Sequence, residues 1–146
     1  MSKADGYELD LLKLLFNATA IANVADNAAT APLTNLYVSL HTADPGEAGS
    51  QLTSETAYTG YARVAVLRTT GGWTCSGTTP AQAVPVANID FASCTAAPGA
   101  AITFFGIGSL ATTAGKLFYS GTVTPNITMA VGVIPRLTTA SSVTED

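Results

Sequence analysis

From Pro32 to Pro135 the chain never runs more than twelve residues without a glycine or a proline. These residues interrupt regular elements more strongly than any others. Long helices are therefore excluded from most of the sequence, and short strands are the remaining way to order it. The runs between breaks are rich in Thr, Val, Ile, Phe and Tyr, which fit a pleated, half-buried surface. The clearest is the segment in which Leu36, Val38 and Leu40 alternate with Tyr37, Ser39 and His41, a period of two.

The same reading predicts strands over Tyr61–Thr69, with Ala62, Val64 and Val66 on one side, and over Trp73–Ser76, Ala83–Phe91, Ala101–Gly108, Lys116–Val123, Met129–Val133 and Arg136–Thr139. Pro85 lacks an N–H and argues for an edge position. Asp44-Pro45-Gly46 reads as a turn, because proline presets φ and glycine permits the reversal. Residues 47–59 read as a long loop, 111–115 as a hairpin loop and Pro125-Asn126 as a turn. Six to eight short strands in one domain predict a mainly β fold, an antiparallel sandwich or jelly roll.

One segment is different. Leu11, Leu14, Leu15 and Ala18 recur at i, i+3, i+4 and i+7, with Tyr7 one turn earlier, which predicts an N-terminal α-helix whose apolar face either packs on the sheet or docks to a larger assembly. Asp10, Lys13 and Asn17 mark the other side. Asp5 followed by Glu8 has the spacing of a capping box. The helix is expected to fade before residues 28–32. The division expected is one domain over 1–146: helix and arm at 1–27, β-sandwich at 33–140 and a polar tail at 141–146.

Charge supplies the functional constraint. Of 146 residues 11% are charged and 47% apolar, and the net charge is −4. Disorder is excluded by the apolar content. Six Lys and Arg without a cluster argue against nucleic-acid binding. A free monomer ordinarily covers itself with charged side chains. Here 25 alanines and 22 threonines take much of their place, and between Asp90 and Glu145 only Lys116 and Arg136 carry charge. Two readings fit that depletion: an outer surface dressed in Thr, Ser, Asn and Gln, or one partly covered by neighbouring chains. Residues 91–115 are uncharged but broken by Ser, Thr, Pro and Gly, so no membrane span is expected. An acidic N-terminus does not read as a signal peptide. Cys75 and Cys94 are expected to be reduced.

No catalytic, metal or cofactor site is expected. His41 lies near Asp44, but on a strand it points away from the Leu36/Val38/Leu40 face, which suggests a polar-face or interface histidine. Cys75, Cys94 and His41 have no metal-ligand spacing. Glu55 and Asp90 have no carboxylate close in sequence. Phe104-Phe105 and Phe118-Tyr119 could stack a sugar, but neighbouring strand residues face opposite sides, so one of each pair is expected in the core.

Three segments carry a resemblance: Leu36-Tyr37-Val38-Ser39-Leu40-His41-Thr42-Ala43-Asp44-Pro45-Gly46-Glu47-Ala48-Gly49, then Gly60 to Val66, then Phe105-Gly106-Ile107 with Gly115 to Val123. Together with the Leu-rich helix around Leu11 to Phe16, they resemble short virion structural proteins of tailed phages, labelled capsid decoration (cement) or tail-fibre-like proteins. The likeness spans most of residues 7–125, and the polar stretch from Thr138 departs from it.

The resemblance implies a non-enzymatic virion protein made in the bacterial host cytoplasm and present in many copies. A cement protein on the capsid surface is the first expectation. Its partners would be the major capsid protein and copies of itself, and it would brace the shell against DNA pressure. A tail or tail-fibre component, with receptor or glycan contact, is the second. Candidate assembly contacts are Tyr7, Leu11, Leu14, Leu15, Trp73 and Tyr119. A glycan-binding reading expects a pocket where Trp73 or Tyr119 is exposed.

Overall fold

The computed structural model describes residues 5–21 and 31–145. It is mainly β, with antiparallel sheets and one N-terminal helix, as the sequence predicts. The order is α1 (Asp5–Asn17), β1 (Asn35–His41), β2 (Val64–Leu67), β3 (Trp73–Ser76), β4 (Ala81–Pro85), β5 (Ile89–Asp90), β6 (Ile102–Gly108), β7 (Leu117–Ile127), β8 (Arg136–Leu137) and β9 (Val143–Glu145). None of the described helices is long and apolar enough to cross a membrane. The chain divides into two compact units, Met1–Asn35 with Leu67–Ile89 and Leu137–Asp146, and Leu36–Val66 with Asp90–Arg136.

The first unit is built on α1 and the sheet β3-β4-β9. The helix packs on β3 and β4, and the face it buries is not the Tyr7/Leu11/Leu14/Leu15 one. Leu12 and Phe16 are fully buried and Glu8 nearly so, while Tyr7 is 44% exposed and Leu11, Leu14 and Leu15 are half-buried. Two inward stripes were available in this leucine-rich segment. The one ending in Phe16 prevails because that ring meets Trp73 edge-on, centroids 4.7 Å apart, and aromatic pairs add to the area they bury. The side chain of Asp5 and the stretch 28–30 lie outside the described residues.

The helix C-terminus shows how its orphan carbonyls are satisfied. Thr19 N–H donates to Lys13 O at 3.1 Å, with Ala18 at φ 54°, a left-handed position after the helix that glycine usually fills. Arg68, itself buried, donates through Nε to Leu15 O at 2.6 Å and through Nη2 to Leu14 O at 2.5 Å. Its charge sits at the negative end of the helix dipole.

Two expectations about the sheet are corrected. β4 is central, not an edge: β3 pairs along its whole length, Trp73 with Pro85, and β9 pairs on the other side only over Ala81–Ala83. Pro85 is tolerated because it lies beyond the reach of β9. The expected polar tail supplies that β9, and Val143 is buried in it.

The second unit centres on the sheet β2-β1-β6-β7. In the β1–β6 ladder Ser39 faces Gly106 and His41 faces Phe104, and β6 continues onto β7, Ile107 opposite Tyr119. β7 runs through Pro125-Asn126, where a turn is expected from sequence; its pairing with β6 shifts register there, between Phe104–Thr122 and Ile102–Ile127, and such an irregularity on an outer strand accommodates proline. Residues 61–63 and 129–133 are not strands, and the extended 83–91 run splits into β4 and β5. β5 and β8 form a two-stranded pair, joined by the exposed Arg136–Asp90 ion pair. Core side chains of this unit include Leu36, Val38, Leu40, Tyr58, Phe91, Ile102 and Ile107.

Candidate functional site

β1 is buried on both faces rather than on one. The reason is the segment after the Asp44-Pro45-Gly46 turn. That turn forms as predicted: Gly46 N–H donates to Asp44 Oδ1 at 2.9 Å, and Gly46 takes φ 68°, which glycine adopts freely. The chain then returns along β1. Thr42 N–H donates to Ser54 O and Thr56 N–H to Leu40 O, both at 2.9 Å, and Ser39 and His41 end fully buried.

His41 is therefore a core residue, not a polar-face or interface one. Its Nδ1 lies 2.8 Å from Thr53 O, so Nδ1 carries the proton and donates. Nε2 then accepts from Ser39 Oγ at 2.9 Å. Burial holds its pKa below the ordinary histidine value, against the carbonyl of Thr53 and the charge of Glu55, which raise it. Ser39 and His41 have the contact of a nucleophile–base pair, yet neither is open to a substrate. Asp44, the carboxylate near it in sequence, is exposed in the turn.

Glu55 is bound on two sides. Arg63 Nε reaches Oε1 and Nη2 reaches Oε2, each at 2.7 Å, a bidentate fork. Tyr61 Oη also donates to Oε1 at 2.7 Å and accepts from Leu40 N–H at 3.1 Å. Arg63 goes on to Leu110 O and Thr113 O, both at 2.9 Å. One guanidinium thus ties the returning segment to the β6–β7 loop. Burial raises the Tyr61 phenol well above its usual value and pushes Tyr58 up to about 12, so both serve as neutral hydrogen-bonding groups.

Gln51, fully buried, is the second tie. Nε2 donates to Tyr37 O at 3.2 Å and Oε1 accepts from Leu110 N–H at 3.0 Å. A Cβ on Gly106 would fall 2.7 Å from His41 Nε2, and one on Gly108 2.2 Å from Gln51 Cδ. These glycines of β6 let the returning segment lie against the strand.

The candidate assembly residues are dispersed. Tyr7, Leu11, Leu14 and Leu15 leave α1 with a partly exposed apolar side. Trp73 is 2% exposed against Phe16 and has no surface to offer. Tyr119 is half-buried on an open groove of about 410 Å³ lined by Asp44, Gly46, Glu47, Leu117, Phe118, Tyr119 and Ser120. Phe104 and Phe105 are both half-buried, as are Phe118 and Tyr119, so neither pair splits into one core and one surface ring. Cys75 and Cys94 are free thiols, and burial pushes the Cys75 thiol up to about 11. Among the described residues no group of three or more His, Cys, Asp or Glu side chains could hold a metal ion.

The arrangement joins loops to a sheet through buried polar side chains. A family model described as podophage GP4 fiber I protein gp80 matches residues 12–144, from the middle of α1 into β9. The chain belongs to that family. Membership in the gp80 fibre family makes the chain a phage virion structural protein. It also reorders the two expectations, because a fibre family favours the tail-fibre reading over capsid cement. No curated protein matches the chain. The gp80 match runs past residue 125 and includes most of the Thr- and Ser-rich end, where β9 completes the first sheet.

Proposed function

We propose that the protein is a non-enzymatic component of a podophage tail fibre, or of the structure that attaches the fibre to the virion. The observation that carries this reading is the fibre-family match over residues 12–144, which takes in every strand of the second unit. The second unit supports it. Its polar side chains are used as fasteners: Glu55, Arg63, Gln51 and His41 each bond backbone or side chains of another segment. A buried group satisfied in this way specifies one conformation, which suits a part that transmits force and carries out no turnover.

The test is location. Purified particles labelled with gold-conjugated antibody to this protein should carry gold at the tail and none on the shell. Gold distributed over the shell would overturn the fibre reading in favour of capsid decoration, with the major capsid protein as partner. Particles from a phage lacking the gene should then lose fibre density while retaining full, stable heads.

A further inference from the structure

We infer that the groove beside β7 seats an arginine side chain of a neighbouring virion protein. Its walls come from two places. Leu117, Phe118 and Tyr119 supply apolar and aromatic surface from β7, and Asp44 and Glu47 supply carboxylates from the segment after β1. Its volume of about 410 Å³ lies within the roughly 300–1,000 Å³ of ligand clefts. Turns fix where the carboxylates stand. Gly46 N–H donates to Asp44 Oδ1 at 2.9 Å, Gly49 N–H donates to Gly46 O at 3.0 Å, and Pro45 is buried beneath them. Both acids are exposed, and among the described residues neither forms an ion pair.

Charge complementarity selects the occupant. Two carboxylates on one groove, in a chain of net charge −4, favour a cation. A neutral ligand would leave both without a countercharge. The aromatic wall narrows the choice further. A guanidinium is planar, pairs with a carboxylate through two N–H groups and stacks on rings, and its aliphatic stem suits a wall such as Leu117. A second copy of this chain has no arginine to offer, because its three are committed internally: Arg63 to Glu55, Arg68 to the carbonyls that end α1, and Arg136 to Asp90. The arginine therefore belongs to a different protein. The inference goes beyond the fibre reading and holds wherever on the virion the chain sits.

The test is an NMR titration of the isotope-labelled full chain with the acetylated tripeptide amide glycyl-arginyl-glycine, carried to about 20 mM because a single side chain binds in the millimolar range. Amide signals of Glu47 and of residues 117–120 should move and saturate. The same peptide with neutral citrulline in place of arginine should bind at least about tenfold more weakly. Asp44→Asn combined with Glu47→Gln should also weaken binding at least about tenfold, while asparagine keeps the oxygen that accepts from Gly46. Asp10→Asn, exposed on α1, should leave the affinity unchanged. If the double variant fails to fold, Glu47→Gln alone takes its place, with an expected loss of about threefold. Shifts that do not saturate, or that saturate elsewhere on the chain, overturn the inference. So does a folded groove variant that binds the arginine peptide as tightly as wild type. Saturation by methyl glucoside with none by the arginine peptide overturns it in favour of a saccharide groove.

Discussion

Arg63 grips both carboxylate oxygens of Glu55 at 2.7 Å while the side chains of the two residues are only 2% and 10% exposed. The pair holds the segment after β1 against the sheet and, through Leu110 and Thr113, the β6–β7 loop as well. Removing one partner leaves the other charge buried and unpaired. Arg63→Ala should therefore destabilise the protein by about 3 kcal/mol, read as a lowered urea midpoint. Replacing both residues by apolar ones of similar size should recover part of that loss. Equal destabilisation in the single and double variants would show that the ion pair itself is not the cause.

His41 gives a pH dependence of known sign. Its folded pKa lies below the unfolded value because burial disfavours the imidazolium. At pH between the two values the unfolded chain binds more protons, so acid favours unfolding. The contribution is complete above the unfolded value of about 6.5 and is lost progressively as pH falls from there toward the folded pKa. Urea midpoints should fall over that window in wild type, and His41→Gln should flatten the fall. An identical profile in the variant would assign it to another group.

Ala18 closes the helix at φ 54°, a conformation costing an L-residue roughly 1 kcal/mol that glycine does not incur. Ala18→Gly is expected to raise the melting temperature, with a gain of about 0.5–1 kcal/mol. A loss of stability would mean that the alanine methyl packs usefully there.

The inward face of α1 separates Phe16 from Tyr7. Phe16 is fully buried on Trp73, and Tyr7 is 44% exposed. Phe16→Ala should cost about 3–5 kcal/mol, as large core truncations do, and Tyr7→Ala less than about 0.5 kcal/mol. Both follow from thermal melts of the full chain. Comparable losses would restore the Tyr7/Leu11/Leu14/Leu15 face as the inward one.

Much of the fold is legible in the chain itself. The change from a helical to a two-residue period, the turn residues Asp44-Pro45-Gly46 and the β-branched runs are local signals, set by backbone sterics that act wherever the residues sit. They mark α1, β1, β3, β6 and most of β7 close to where they lie. Scarcity of charge is equally readable from the chain.

The rest depends on which distant segments meet. Two apolar stripes on one helix can be ranked only when a partner such as Trp73 selects Phe16. Val143 becomes core only because β4 lends it a ladder. Pro85 sits in a central strand because β9 stops short of it. Nothing near His41 in sequence announces that Thr53, Ser39 and a bare Gly106 will enclose it, nor that Glu55 will find Arg63. Those pairings cost chain entropy and desolvation that only the assembled second unit repays. Sequence determined the kind of element over α1, β1, β3, β6 and most of β7, and the scarcity of charge in the chain. Tertiary structure decided which side of each element is inside, and turned a few scattered polar residues into fasteners.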